Sequence, residues 1–359
     1  MSTKRELHIA EPVKPEVTEL PSPYLLFLGD TTEKSYAKTA FGLRDWAPDR
    51  CVGEWSCGAA TVSTGLPRLT PKEARARGAK ALVIGVANLG GIINESWLPS
   101  LVEALDSGLD IISGMHAKLE SVPQLKQVAE RNGRRLYDVR TPPPKIPIAT
   151  GRKRSGKRLL TVGTDCALGK KYTALALARG FEQRGVPVEF RATGQTGILI
   201  SGKGIPMDAV IADFAAGAAE MLTPDQAPEH WDVIEGQGAL FHPAYAGVSL
   251  ALLHGSQPDV IVVCHQPGRT YVMGHADYLL PSIEETMELN LRLGSRTNPV
   301  IRCGGVSLDT SHLKADAAHA LLAAESRRLG VPVADPMRGG AEFDALVEAC
   351  LKNSNQLSS

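Results

Sequence analysis

The sequence predicts an α/β protein in two parts, an N-terminal Rossmann-like domain and a C-terminal P-loop NTPase-like domain with a mostly parallel sheet. Three observations carry that reading. Short apolar runs of strand length alternate with helical stretches along most of the chain, as parallel strands joined by crossover helices do. A proline-rich, basic stretch interrupts the alternation once, over residues 141–157. Directly after it, the apolar run 158–163 leads through Gly163-Thr164-Asp165-Cys166-Ala167-Leu168-Gly169-Lys170-Lys171-Tyr172-Thr173 into Ala174-Leu175-Ala176-Leu177-Ala178, a strong helix former. Strand, glycine loop and helix in succession make a phosphate-binding loop, because backbone N–H groups and a helix N-terminus converge on an anion.

The chain has 359 residues, enough for two domains of ordinary size. Its 43% hydrophobic and 22% charged content is that of a soluble globular protein. Lys+Arg and Asp+Glu are equal at 39 each, which removes the basic excess of a nucleic-acid binder. No apolar run approaches the ~20 residues of a membrane span, and the first residues lack a signal-peptide core. Cysteines at 51, 57, 166, 264, 303 and 350 form no C-x-x-C pair and read as reduced thiols. The expectation is a cytoplasmic protein acting on small molecules, with no nucleic-acid or membrane partner, no bound metal, and a homo-oligomer left open.

Residues 1–22 are polar and proline-rich and read as a loose arm. The Rossmann-like domain spans 23–140, with strands at 24–29, 81–85, 109–113 and 135–139 and helices at 98–107 and 122–131. Val86-Ala-Asn-Leu-Gly-Gly91 follows a strand but does not match G-x-G-x-x-G, so it reads as a tight turn rather than a dinucleotide fingerprint. In the linker, 141–157, three consecutive prolines stiffen the chain and Arg152-Lys153-Arg154 reads as solvated. The P-loop domain spans 158–352, with strands at 159–162, 186–191, 232–235, 260–264, 299–303 and 331–334. Its helices fall at 170–184, 207–222, 283–293, 315–329 and 341–351, and residues 353–359 are a tail.

The loop departs from the usual G-x-x-x-x-G-K-[ST] in two ways. Five residues separate Gly163 from Gly169, and Lys171 stands where Ser or Thr would hold Mg²⁺. Thr173 lies two positions on, toward another helix face. Residues 163–173 are therefore expected to grip a phosphorylated molecule, with Lys170 on the phosphates, and to be poorly equipped to hydrolyse one. Gly-Thr-Asp-x-x-x-Gly-Lys is also similar to dethiobiotin synthetase, which keeps a Thr after the Lys.

Open α/β sheets place chemistry at the C-terminal ends of their strands. Glu235 follows its strand in a Walker-B-like place, suited to ligating metal or taking a proton, and Gly236 and Gly238 let a ligand approach. Its structural alternative is a carboxylate held by neighbouring N–H groups. His265 ends the next strand and is a second candidate base, with an unperturbed pKa of ~6.5, or else a buried, hydrogen-bonded histidine. Arg191, Arg269, Arg302 and Arg338 follow strands and suit bidentate binding of substrate carboxylates, although some would serve as phosphate or surface contacts.

Several of these motifs together resemble the bacterial and archaeal D-glutamate N-acetyltransferases. The likeness covers about residues 24–351. It is carried by Gly163-Thr-Asp-Cys-Ala-Leu-Gly-Lys170, Glu235-Gly-Gln-Gly-Ala239, Gly305-Val-Ser-Leu-Asp-Thr-Ser311, Asp335-Pro336-x-Arg338 and Gly108-Leu-Asp-Ile-Ile-Ser-Gly114. The resemblance implies acetyl transfer from acetyl-CoA, as co-substrate, to the amine of D-glutamate. Thioester aminolysis breaks no phosphoryl bond, so a loop without a Mg²⁺ ligand is compatible with it. It needs a base for the amine, donors for the oxyanion and cations for two carboxylates. Two rivals remain at this stage, an ATP-dependent ligase or kinase of the dethiobiotin synthetase type and a non-enzymatic nucleotide-binding switch.

Overall fold

A computed structural model describes residues 19–58 and 60–352. Most of the expected arm and the whole tail, 353–359, lie outside the described residues. The last part of the arm packs: Leu20 is buried and its N–H donates to the Gly202 carbonyl at 2.8 Å.

The N-terminal sheet contains β1 (Tyr24–Phe27), β2 (Cys51–Trp55), β3 (Ala81–Ile84), β4 (Asp110–Ser113) and β5 (Leu136–Asp138). All pairings are parallel, in the order β2-β1-β3-β4-β5. Four helices connect them: α1 (Lys38–Trp46), α2 (Pro71–Ala76), α3 (Leu98–Asp106) and α4 (Pro123–Asn132). The sequence reading missed β2, α1 and α2. In β2 a half-buried Cys-Val-Gly-Glu-Trp run lacks the unbroken apolar signature of its neighbours. In α1 a glycine interrupts a nine-residue helix that no side chain caps.

The second sheet contains β6 (Lys157–Gly163), β7 (Val188–Arg191), β8 (Trp231–Ile234), β9 (Val260–His265), β12 (Arg302–Leu308) and β13 (Val333–Ala334). Its order is β13-β12-β9-β6-β8-β7, again all parallel. A small antiparallel hairpin, β10 (Tyr271–Val272) with β11 (His275–Leu279), stands apart from it. The helices are α5 (Lys170–Glu182), α6 (Gln195–Ser201), α7 (Ala212–Leu222), α8 (Ala246–Ser256), α9 (Ile283–Gly294), α10 (Ala315–Leu329) and α11 (Gly340–Leu351). The expected helices do not include α6 or α8.

One strand is displaced from its expected place. The reading put it at 299–303, whereas β12 begins at Arg302 and runs to Leu308. Gly304 and Gly305 read as a loop but lie inside the strand. A Cβ at Gly304 would sit 2.7 Å from the Cys350 sulfur, and one at Gly305 would sit 2.4 Å from the Pro332 carbonyl. The two glycines admit neighbouring backbone and α11 to the strand. Arg302 consequently starts its strand and lies away from the C-terminal edge.

The linker is largely exposed as expected, Arg152 and Lys153 included, and Arg154 is the exception. Arg154 is buried and donates to the Thr223 carbonyl and hydroxyl at 2.5 and 2.9 Å and to the Gly255 carbonyl at 2.7 Å. It serves as an internal splint under α7 and α8. The two sheets also share a core, in which Leu26, Val83 and Ile112 cluster with Leu175, Ile198 and Leu199. Among the described residues no helix is long and apolar enough to cross a membrane.

Because Arg154→Ala would leave those carbonyls unpaired, it is expected to lower unfolding free energy by roughly 3 kcal/mol. Urea denaturation measures this, and an unchanged midpoint would show that the arginine is only incidental to the fold.

Candidate functional site

β6 delivers the chain to Gly163, and α5 starts at Lys170 with Gly169 in the left-handed region at φ 86°. The Thr161 hydroxyl ties the loop to its surroundings. It lies 3.1 Å from the Lys170 carbonyl and accepts from the Gly236 N–H at 3.0 Å. Lys170 is buried, and its ammonium donates to the Asp165 carbonyl at 2.6 Å. Burial pushes its pKa down. The Asp165 carboxylate accepts from the N–H of Cys166 at 2.6 Å, from the N–H of Met273 at 2.8 Å and from Arg269 at 3.0 Å. Arg269 also donates to the Cys166 carbonyl at 2.8 Å. The arginine and the hairpin therefore brace the loop.

Glu235, just past β8, is buried beside the loop. One carboxylate oxygen accepts from the N–H groups of Thr193 and Gly194 at 2.9 and 3.0 Å. Burial raises its pKa, and the Lys171 charge opposes that rise. Lys171 shows the converse: burial lowers its pKa and Glu235 works against the shift. Its ammonium lies 4.3 Å from the centre of the Tyr172 ring. Loop, Lys170, Lys171 and Glu235 line a cup of about 390 Å³.

A larger cleft of about 680 Å³ lies between the domains and shares Leu168, Gly169 and Tyr172 with the cup. Lys34, Lys38, Phe41 and Trp46 line it from the N-terminal domain and Arg338 from the other side. Trp46 stacks on Tyr172 with ring centres 5.9 Å apart. Arg338 donates to the Thr310 hydroxyl at 2.7 Å and to the carbonyls of Thr310 and Leu313 at 2.9 and 2.7 Å. Thr173 turns to β12, where its hydroxyl meets that of Ser307 at 2.8 Å.

The other expected residues fall elsewhere. His265 Nδ1 meets the Thr164 hydroxyl at 3.0 Å, but the ring lines a separate pocket of about 590 Å³ with Glu284, Glu325 and Arg328. Burial lowers its pKa. Arg191 pairs with Glu189 at 2.9 Å and Asp232 at 2.8 Å, so its charge is already neutralised. Arg302 donates to the carbonyls of Cys350 and Lys352, far along β12 from the cup. Neither lines the cup or the cleft. Among the described residues two groups of side chains have metal-ligand character. In Asp165–Cys166–His242, the histidine Nδ1 accepts from the Ala244 N–H at 3.1 Å, which leaves Nε2 protonated, and Arg269 already sits on Asp165. Glu189–His230–Asp232 encloses Arg191. Each set carries its own cation.

Residues 147–347 match the family described as Domain of unknown function (DUF1611_C), P-loop domain, and residues 49–142 match its Rossmann-like companion, DUF1611_N. The chain is 52% identical over 320 residues to a protein of Tritonibacter scottomollicae named D-glutamate N-acetyltransferase, covering 89% of this chain and 96% of that one. It is 48% identical over 324 residues to a protein of the same name from Pseudoalteromonas sp, covering 90% and 98%. A crystal structure of a DUF1611 family protein from Anabaena variabilis matches with a TM-score of 0.80 and 32% identity, over 93% of this chain and all of that one (100%). The chain belongs to the DUF1611 family.

In this DUF1611 chain the reading of the sequence missed the whole contribution of the N-terminal domain to the cleft. Lys34 and Lys38 are four apart, and Phe41 and Trp46 follow on α1, but a short helix with Gly42 inside it gave little periodic signal. That glycine is where the Tyr172 hydroxyl and Thr196 pack, 3.5 and 3.4 Å from where a Cβ would be. Also missed was α6, which follows directly on Thr193 and Gly194, the two residues whose N–H groups hold Glu235.

A Cβ at Gly197 would lie 2.2 Å from the Glu235 carboxylate. Gly197→Ala is therefore expected to push that carboxylate off its two donors and to destabilise the protein by about 1–3 kcal/mol. An unchanged urea midpoint would show that Glu235 is not held as described.

Proposed function

We propose that this protein transfers acetyl from acetyl-CoA to the amine of D-glutamate. The observation that carries the proposal is a phosphate loop with two lysines and no metal-ligating hydroxyl, opening beside an aromatic, basic cleft between the domains. Two relatives that bear the name of this activity, at 52% and 48% identity over nearly the whole chain, support it. The pyrophosphate of CoA belongs in the cup, against Lys170 and the first N–H groups of α5. Phe41, Trp46 and Tyr172 offer flat apolar surface to its base. Lys34 and Lys38 are the cleft cations suited to the substrate carboxylates, whereas Arg338 is already engaged by Thr310, Leu313 and Asp335.

In the reaction the neutral amine attacks the thioester carbonyl, a C–N bond forms, the C–S bond breaks and the thiolate leaves. The ammonium of D-glutamate must first lose a proton. Glu235, in the Walker-B-like place beside the loop, is the favoured acceptor, directly or through water, and His265 lines a separate pocket. In this reading the protein works in the cytoplasm on small molecules, and all six cysteines are free thiols.

Incubation with D-glutamate and either acetyl-CoA or Mg-ATP tests the proposal. Thiol release that depends on D-glutamate is expected; ADP release instead would point to a ligase or kinase, and tight nucleotide binding without turnover to a switch. Lys170→Ala is expected to weaken CoA binding by on the order of 2 kcal/mol, about thirtyfold, while the thermal unfolding profile stays near that of the wild type. Glu235→Gln should lower turnover by ~10²–10⁴ with little change in donor binding. Because burial raises the carboxyl above its ordinary 4.5, turnover should decline as pH falls through that raised value. Near-normal turnover of Glu235→Gln would remove Glu235 as the base.

A further inference from the structure

We infer that the Lys171 ammonium takes the place of the divalent cation of a phosphate loop, so that the cup binds an uncomplexed diphosphate ester in preference to its Mg²⁺ complex. The identity of that ester as CoA rests on the function proposed above; the role of Lys171 does not.

Three features of the cup lead there. Lys171 follows the loop lysine directly, in the first turn of α5, where a hydroxyl would otherwise ligate the metal. The nearby hydroxyl that might substitute, on Thr173, is engaged with Ser307 at 2.8 Å in the wall of the other cleft. The carboxylate in the Walker-B-like place, Glu235, is tied to two backbone N–H groups and faces a lysine charge. Where a metal site would bring carboxylate, hydroxyl and phosphate oxygens together, here a carboxylate and an ammonium-bearing side chain line the same cup.

The charge balance agrees. Lys170 and Lys171 stand side by side at a helix N-terminus, where the dipole adds further positive potential. Glu235 answers part of it and Asp309 lies on the cup's wall, while Asp165 turns its carboxylate to Arg269. The cup is therefore suited to a multiply charged anion. A Mg²⁺ ion carried in with that anion would have to sit against an ammonium, and at such range the repulsion between like charges is large in a desolvated site. A free diphosphate meets only attraction.

Calorimetric titration of the full chain with CoA, and separately with ADP, in EDTA and in Mg²⁺, tests this. Wild-type affinity for CoA is expected to be at least as strong in EDTA as in Mg²⁺. Lys171→Thr should lose about tenfold or more in EDTA and recover in Mg²⁺, whereas Lys171→Arg should keep metal-independent binding. Wild-type binding that requires Mg²⁺ would overturn the inference. So would Lys171→Thr binding in EDTA as the wild type does, or a loss that Lys171→Arg shares and Mg²⁺ does not restore, since that pattern marks packing rather than charge. If ADP binds and CoA does not, the acetyl-CoA reading fails and the same comparison on ADP decides the role of Lys171. Failure of both ligands to bind in either medium would defeat both.

Discussion

Two adjacent lysine side chains at the N-terminus of one helix, Lys170 buried and Lys171 half-buried, are the constraint around which this structure is arranged. Burying an ammonium is unfavourable unless it finds partners, and the positive end of a helix makes the place worse for a cation. Lys170 meets this by donating to the Asp165 carbonyl at 2.6 Å. Lys171 meets it with the charge of Glu235 and the face of Tyr172. Asp165 is in turn braced by Arg269 and the Met273 N–H, which explains why a hairpin outside the main sheet belongs to the site. Glu235 depends on the start of α6 and on the absence of a side chain at Gly197.

The same constraint couples the domains. From the Lys171 ammonium the contacts run to the ring of Tyr172, then to Trp46 stacked on it, then to the Arg179 guanidinium 4.2 Å from the Trp46 ring. Arg179 also donates to the Trp46 carbonyl at 3.1 Å. Cation, ring, ring and cation thus form a continuous stack from the loop into α1 and back to α5. Together with the shared apolar core it fixes the wall of the cleft that carries Lys34, Lys38 and Phe41. The N-terminal domain lines the cleft beside the loop, and so belongs to the candidate site.

The fold class could be read from the sequence because both sheets are parallel and buried, which gives unbroken apolar strands such as 81–84 and 260–264 a clear signature. The loop was legible for a different reason: its chemistry is local, and eleven consecutive residues, 163–173, contain it. What was not legible is non-local. Gly304 and Gly305 look like a turn until α11 is seen against them. Arg154 looks solvated until the carbonyls of Thr223 and Gly255 are placed around it. The cleft's second wall comes from a helix more than a hundred residues before the loop. His265 and Glu235 both follow apolar strands, and only three-dimensional placement separates the one that lines the cup from the one that lines another pocket.

The four arginines show how that placement decides roles. Arg191 and Arg302 have their charge or their N–H groups consumed by Glu189, Asp232 and the carbonyls at the end of α11. Arg158, fully buried at the start of the second sheet, likewise donates to the carbonyls of Arg154, Ser155 and Pro224. These guanidinium groups are committed to neighbouring carboxylates and carbonyls inside the fold. At the loop the arrangement differs: Lys170, Lys171, Glu235 and Asp309 all line one open cup, and the N-terminus of α5 adds positive potential there.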